Sequence, residues 1–207
     1  MPIQNTNTIS PASAPEPVLD RGVLRGAIAL AVFALLGLGL LYPLAGVVLG
    51  QALFPATANG SLIERDGTAI GSSLVAQPFA DARYFQPRPS AVDYDAMAVS
   101  GSNEARTNPE MRQRVETARA VVAQREGVEP AEVPGDLVTQ SGGGIDPHIS
   151  PQAAAIQTDR VARARGLAPE AVEALTAQHT QHRQLGLLGQ PRVNVLELNL
   201  ALDALHR

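Results

Sequence analysis

A charge-free apolar run near the N-terminus constrains this chain more than any other feature. Residues 26–54 contain no charged side chain, and about 20 apolar residues in a helix are enough to cross the hydrocarbon core of a bilayer. Pro43 removes one backbone donor and predicts a local irregularity in such a helix. Besides Gly26, the run contains glycine, a residue common in membrane helices, at Gly37, Gly39, Gly46 and Gly50. We therefore predict a single transmembrane helix over residues 26–54.

Two other structures are compatible with an apolar run. A buried helix of a soluble protein would be shorter and would show a polar face. A cleaved signal peptide has an apolar region of about 7–15 residues close to the N-terminus. This run is longer and begins only at residue 26, although an Ala56-x-Ala58 step after it leaves cleavage open. The uncleaved membrane span is the favoured interpretation.

The charges on either side of the run indicate its orientation. Arg21 and Arg25 come just before it, and the next arginine after it is Arg65. Because positive charge is retained on the cytoplasmic side of a membrane, we expect the N-terminus to be cytoplasmic. Residues 1–25 are rich in Pro, Ser, Thr and Asn and are predicted to be a disordered cytoplasmic tail. Residues 55–207 then form an extracytoplasmic, periplasmic domain.

The composition limits what this outer domain can do. The chain has 207 residues, a net charge of −4 and no cysteine, which rules out thiol catalysis, iron–sulfur clusters and cysteine zinc sites. A mildly acidic domain offers no electrostatic basis for binding nucleic acid. Aromatic residues make up only 3 % of the chain, so we expect a core of Val, Leu, Ile and Ala.

The pattern of the outer domain predicts a compact α/β (α+β) fold. Asp66-Gly67 separates two strand-like segments, 61–65 and 68–75, and this pair favours the type I′ turn of a β-hairpin. Residues 76–108 are predicted to be irregular, and the aromatic side chains within them indicate that the segment packs against the domain or a partner. Those aromatic residues are Phe79, Tyr84, Phe85 and Tyr94.

Proline and glycine signals place the remaining elements. A proline at the first helical position and a glycine after the last are typical helix boundaries. They predict a helix from Asn108-Pro109 to Gly127, a second from Ser150-Pro151 to Gly166, and a third from Pro169 to about His182. Short β-rich stretches predict strands at Leu137–Thr139 and Arg192–Leu198, whereas Asn199–Leu205 is too short to assign.

Three groups of residues suggest site chemistry, and each has a simpler explanation. Ser141, Gly142, Gly143 and Gly144 form a glycine-rich stretch that could cradle a phosphate, but the Lys of a P-loop is missing and a flexible turn is favoured. Ser141, Asp146 and His148 are the residue types of a hydrolase triad. They are crowded into eight residues, however, so side chains that bond loop amides are the favoured interpretation.

A metal site is the third suggestion. His179 and His182 are three residues apart on the third predicted helix and could face one metal ion. No carboxylate joins them at ligand spacing, so a solvated helix face is favoured. The apolar run contains no ionisable residue of the kind that marks a transport path, and no convincing catalytic set lies outside it. These features indicate an accessory subunit rather than a transporter or an enzyme.

Several short strings together resemble one family. They occur in that family's order after a single N-terminal span, and the resemblance covers roughly residues 25–203. The strings are NGSLIERDG at 59–67, RPSA at 88–91, TNP at 107–109, DLVT at 136–139, GIDPHISP at 144–151, RARGL at 163–167 and VNVLELNLAL at 193–202. The family is the C subunit of the bacterial Kdp potassium-transporting ATPase.

The resemblance implies a function and a set of partners. Such a C subunit is a single-pass protein of the inner membrane that assembles with a channel-like potassium-translocating subunit, a P-type ATPase subunit and a very small membrane subunit. It is needed for assembly and is described as a catalytic chaperone that raises the ATP affinity of the P-type subunit. ATP and potassium are then handled by the complex, and no cofactor is assigned to this chain. The candidate partner-interface residues are Gly37, Gly39, Gly46 and Gly50, whose small size allows close packing of helices, together with Arg88, Asp146 and His148.

This sequence departs from the family in one segment. The family usually shows Ser-Gly-Gly-Ser-Asn-Leu-Gly-Pro before its Asn-Pro, whereas this chain has Ser100-Gly-Ser-Asn103 followed by Glu104-Ala105-Arg106. The charge flanks also place the domain on the opposite side of the membrane from cytoplasmic ATP hydrolysis. We therefore expect an indirect effect on the P-type subunit. A membrane-anchored periplasmic binding domain or hydrolase that acts alone is the alternative.

Overall fold

The computed structural model describes residues 22–205 and divides into two compact units, Met1–Pro55 and Ala56–Arg207. Residues 1–21 of the predicted cytoplasmic tail lie outside the described residues. In the first unit, helix α1 spans Val23–Leu36, a π-helical segment spans Gly37–Leu41, and α2 spans Tyr42–Leu53. By length and composition, Val23–Leu53 can cross a membrane. The helix starts at Val23, three residues before the predicted Gly26, and so includes Arg25 in its first turn.

The irregularity predicted at Pro43 takes the form of the π-helical segment. Pro43 lies in the first turn of α2 and has no N–H to donate to the carbonyl one turn earlier. The wider turns of Gly37–Leu41 come directly before it, and the N–H of Tyr42 donates to the carbonyl of Gly37. A single π-helical turn of this kind absorbs the steric conflict and leaves the helix continuous.

The second unit contains a hairpin, a small sheet and five further helices of at least five residues among the described residues. A short helix, α3 (Pro55–Ala58), begins at the boundary between the units. The strands and helices that follow are β1 (Leu62–Arg65), β2 (Thr68–Ser72), α4 (Pro109–Glu126), β3 (His148–Ile149), α5 (Pro151–Ala155), α6 (Thr158–Arg165), α7 (Pro169–Gln178), β4 (Thr180–Gln181), β5 (Arg192–Asn194) and α8 (Val195–Ala204). The mixed α/β class predicted from the sequence is confirmed.

The predicted hairpin is present. Strands β1 and β2 pair in antiparallel fashion, with Arg65 opposite Thr68. The turn residues Asp66 and Gly67 have φ angles of 53° and 75°, which is the pair of positive angles that a type I′ turn needs. The second sheet is also antiparallel and has the order β3-β5-β4, so β3 lies at one edge.

The first predicted helix of the domain has the expected boundaries. The side chain of Asn108 accepts a hydrogen bond from Glu110 N, and Gly127 ends α4 in the left-handed conformation with a φ of 73°. The second predicted helix also ends at its expected glycine, Gly166. It is broken into α5 and α6, however: Gln157 N donates to Ala154 O, and the side-chain amide of Gln157 donates to Ala153 O.

One predicted strand is absent, and two predicted elements end earlier than expected. Leu137–Thr139 is not a strand, because residues 135–137 form a 3₁₀ turn and Thr139 bonds back to Gly135 O. The third helix ends at Gln178 rather than near His182, because Thr180–Gln181 pairs with β5. The strand predicted over Arg192–Leu198 stops at Asn194, whose side chain caps α8 by accepting from Glu197 N.

The buried core is aliphatic, as the composition predicts. It joins the helices α4–α8 to β3 and β5, and it also includes Phe85 from within the irregular segment and side chains from residues 133–138. Its members are Phe85, Val122, Ala123, Val133, Leu137, Val138, Ile149, Ala153, Ala154, Val161, Ala162, Val172, Val193, Val195, Leu198 and Leu202. Burying a side chain of this kind contributes about 1.5–3 kcal/mol.

The irregular segment 73–108 is held to the domain by two buried amide side chains. Asn199 accepts from Phe85 N (2.8 Å) and donates to Phe85 O (3.0 Å). Gln157 makes the same pair of bonds with the backbone of Gln86 (2.8 and 3.3 Å). Each amide thus supplies the two hydrogen bonds that the N–H and C=O of one residue would otherwise make with a neighbouring strand. The prediction that this segment packs on the domain is confirmed.

Candidate partner-binding groove

A groove with charged side chains in its lining lies at the free edge of the three-stranded sheet. It has a volume of about 650 Å³ and combines side chains of both charges. The residues that line it are Arg88, Asp136, Asp146, His148, Ile149, Ser150, Gln190, Pro191 and Arg192. The structure therefore brings Arg88, Asp146 and His148, the three interface candidates of the folded domain, into one site.

Two carboxylates cover the backbone donors of the edge strand. Asp146 Oδ1 accepts from His148 N (3.0 Å), and Asp136 Oδ2 accepts from Ser150 N (2.7 Å). These N–H groups are two residues apart along the chain, on the same side of the strand. An added strand would need the same donors. The groove is therefore suited to receive side chains rather than to extend its sheet.

Asp146 is the centre of a small charged cluster. Its Oδ2 accepts from Arg88 Nη1 (3.1 Å), and its Oδ1 lies 3.3 Å from His148 Nδ1. Arg88 Nε is buried without a hydrogen-bond partner among the described residues, and Tyr94 holds the backbone of Arg88 through a bond from its hydroxyl to Arg88 O (2.9 Å). Asp146 and Tyr94 thus hold Arg88 in place at the groove.

The electrostatics of the cluster keep the Asp146 carboxyl ionised. Burial raises its pKa, but the hydrogen bonds from His148 and the charge of Arg88 outweigh burial, and the pKa of Asp146 is lower than its ordinary value. The carboxylate therefore stays negative at neutral pH. A groove with fixed charges of both signs can bind a surface of complementary charges.

The same geometry does not assemble the hydrolase triad. Ser141 is buried, and its hydroxyl accepts from Asp146 N (3.4 Å). No hydrogen bond joins Ser141 to His148 among the described residues. Ser141 and Asp146 instead brace the loop that carries the groove, which is the simpler explanation given above.

The glycine-rich stretch lies beside the groove and packs closely on another loop. A Cβ added to Gly144, which has a φ of 75°, would lie 2.5 Å from Val92 Cγ2 and 2.9 Å from Ser100 O. A Cβ added to Gly101 would lie 2.6 Å from Gly142 O. Close approach of the two loops explains Gly144 and Gly101 without a bound phosphate.

The histidine pair does not share a helix face. His179 caps the C-terminal end of α7, and His182 lies beyond β4. Within residues 22–205, no three His, Cys, Asp or Glu side chains are grouped to hold a metal ion.

The altered segment 100–106 is tied to α4. Glu104 forms an ion pair with Arg114, which lowers the pKa of Glu104, and Arg112 Nε donates to Arg106 O (3.0 Å). The Glu104 carboxylate and the backbone carbonyl of Arg106 thus tie the altered loop to one helix.

The glycines of the apolar helix belong to the other unit. Gly37 and Gly39 lie in the π-helical segment, while Gly46 and Gly50 are one turn apart in α2. A Cβ at Gly37, Gly39 or Gly46 would contact nothing within 4 Å. These positions leave the helix surface open to close approach by another helix.

Six of the nine groove residues were missed by the sequence reasoning: Asp136, Ile149, Ser150, Gln190, Pro191 and Arg192. Asp136, Ser150 and Arg192 each lie within or beside a string that was used only to support the resemblance. Ser150 had been interpreted only as a helix cap, and its hydroxyl does cap α5 by accepting from Ala153 N. The acidic and basic side chains around His148 come together only in the fold, where β5 pairs with β3 and brings Arg192 to the groove.

Comparison with known proteins decides the family. The model described as "K+-transporting ATPase, c chain" (KdpC) matches residues 24–204, which include the apolar helix and nearly all of the folded domain. The chain belongs to the KdpC family. A Xanthomonas campestris pv. campestris relative, named potassium-transporting ATPase KdpC subunit, is 59 % identical over 90 % of both chains.

Other KdpC relatives show the same match in more distant organisms. The Methylococcus capsulatus protein of that name is 54 % identical over 81 % of this chain and 90 % of its own. The Gemmatimonas aurantiaca protein is 51 % identical over 88 % of this chain and 92 % of its own. The resemblance described from short strings is thereby confirmed along the whole KdpC match.

Proposed function

We propose that this chain is the assembly and regulatory subunit of a Kdp potassium pump and that its folded domain lies outside the cytoplasm. As a member of the KdpC family, it is a non-catalytic, accessory subunit of the potassium-transporting ATPase. The observation that carries the proposal is the continuous family match over residues 24–204. That match covers both a helix able to cross a membrane and a folded domain with charged side chains in its groove.

Each unit has a separate role in this proposal. The apolar helix packs through its glycines against helices of the channel-like subunit, the P-type subunit or the very small membrane subunit. The groove around Asp146 receives charged side chains of one of these partners. The domain contacts the potassium entrance, so any effect on ATP affinity passes through the partner subunits and requires no nucleotide on this chain.

Co-purification tests the proposal directly. The full chain carries an affinity tag, is expressed with its neighbouring genes and is purified in a mild detergent. We expect a P-type ATPase and a channel-like subunit to elute with it in constant ratio. The same tag on an unrelated single-span protein controls for detergent micelles that carry several proteins. Elution of the chain without the pump subunits would contradict the proposal.

Orientation has its own test, supported by Arg21 and Arg25 before the span. The chain has no cysteine, so a single Met97→Cys substitution gives one reactive thiol at a side chain that is 94 % exposed. A membrane-impermeant maleimide should label it in intact spheroplasts. A cysteine placed in the N-terminal tail should react only after lysis. The reverse pattern would put the domain in the cytoplasm.

A further inference from the structure

An ordered turn with three exposed leucines connects β4 to β5. We call residues 184–189 the leucine turn. Gln184 O accepts from Leu187 N (3.1 Å) and Leu188 N (2.9 Å), and Gln184 N donates to Leu188 O (2.9 Å). The exposed fractions are 91 % for Leu185, 79 % for Leu187 and 62 % for Leu188. Clustered exposed apolar side chains with a polar rim mark interaction sites.

The backbone of the leucine turn is strained at Leu185. Leu185 and Gly186 have φ angles of 53° and 73°, the positive pair of a type I′ turn, which favours Asn-Gly or Asp-Gly. A leucine disfavours this left-handed conformation. Because the Leu185 side chain is almost fully exposed, packing within this chain does not compensate for the strain. Such strain concentrates where a residue contacts a ligand or partner.

The charges around the leucine turn indicate what it contacts. Residues 174–196 contain no Asp or Glu, although the chain as a whole has a net charge of −4. Arg183 Nη2 donates to Gln190 Oε1 (3.0 Å), and Arg192 Nε donates to Gln181 Oε1 (3.1 Å). Neither guanidinium has a carboxylate partner among the described residues. The complementary surface is therefore an apolar pocket with an acidic rim.

A protein surface fits this chemistry better than a bilayer. Anionic lipid would attract Arg183 and Arg192, but the leucine turn continues through Gln190 and Pro191 into the groove that holds Asp136 and Asp146. Anionic headgroups would repel those two carboxylates, whereas a protein partner can complement both signs of charge.

We propose that the leucine turn docks into an apolar pocket with an acidic rim on another subunit of the same pump. This inference rests on the proposed function, because it needs the complex to exist. The inference assigns the central apolar contact of the interface to the leucine turn. The charged side chains of the groove form the surrounding part of the same interface. The leucines bury apolar surface, and the arginines fix the register.

Two variants separate docking from folding. Leu185→Asn keeps a residue that tolerates positive φ and removes the leucine side chain. We expect the thermal midpoint of the full chain in detergent to be unchanged or higher, while dissociation of the pump complex becomes at least tenfold faster. Val121→Ser, at a side chain 57 % exposed on α4, is the matched control and should change neither quantity.

A photo-crosslink identifies what the leucine turn contacts. Leu187→p-benzoylphenylalanine is introduced into the full chain within the purified complex, which is reconstituted in vesicles of phosphatidylethanolamine and phosphatidylglycerol. We expect irradiation to join residue 187 to a pump subunit, with the adduct identified by mass spectrometry. The same amino acid at residue 121 should give no such adduct.

The possible outcomes distinguish a failure of the docking inference from a failure of the proposed function. An adduct to a pump subunit together with faster dissociation of Leu185→Asn supports docking. Adducts only to lipid, no adduct, or wild-type dissociation of Leu185→Asn in a complex that still co-purifies would overturn the docking inference alone. Failure of the wild-type chain to co-purify with pump subunits would overturn both.

Discussion

At the scale of single residues, side-chain amides replace missing secondary structure. Asn199 and Gln157 each bond both the N–H and the C=O of one residue in the irregular segment. A segment with prolines and no regular element can therefore bury Phe85 completely. The sequence predicts that the aromatics of this segment pack, but it does not show which amides hold them, because those partners lie more than 70 positions away.

Removing one amide tests this arrangement. Asn199→Ala leaves the N–H and C=O of Phe85 without their partners in a dry environment. Because an unsatisfied buried group costs about 1–3 kcal/mol, we expect the free energy of unfolding to fall by about 2–4 kcal/mol. Urea unfolding of the full chain in detergent measures the loss. Gln124→Ala, at an exposed position of α4, should change stability by no more than about 0.5 kcal/mol.

At the scale of elements, local signals predict boundaries well and pairing poorly. Asp66-Gly67, Asn108-Pro109 and Gly127 act through their own backbone conformations, so the sequence alone locates the hairpin and α4. The stretch after Arg192 has the β-branched pattern of a strand, yet Asn194 and Glu197 have the three-residue spacing of a helix cap. That spacing is the signal that could have located the start of α8. The Asn194 side chain accepts from Glu197 N and begins the helix there, so the strand ends at Asn194.

The apolar helix carries the element-scale prediction about assembly. Gly39 and Gly46 have no neighbour within 4 Å of an added Cβ, so Leu substitutions at these positions fit the helix itself and alter only its outer surface. If partner helices pack there, Gly39→Leu and Gly46→Leu should reduce the yield of co-purified pump subunits at least fivefold. Ala45→Leu in the same helix is the control for added bulk.

Unchanged yields for both glycine variants would contradict this role. The run would then be a membrane anchor without a specific helix contact, and assembly would depend on the folded domain. Expression of the chain itself, followed by its tag, separates weaker assembly from poorer insertion.

At the scale of the whole molecule, two units with different chemistry are joined in one chain. One presents apolar surface throughout its helices, and the other combines an aliphatic core with a groove of fixed charges. The sequence predicts this division from the charge-free run, and it offers Arg88, Asp146 and His148 as separate candidates for partner contact. The sequence does not predict that Gln190, Pro191 and Arg192 line the groove, because the pairing of β5 with β3 brings them there.

Growth at limiting potassium tests the central claim most directly. In a host without other high-affinity potassium uptake, deletion of this gene should abolish growth in micromolar potassium, and a plasmid copy of the full chain should restore it. Growth in millimolar potassium should be unaffected, since low-affinity uptake then suffices. Wild-type growth of the deletion strain in micromolar potassium would contradict the account of this chain as a required subunit of the pump.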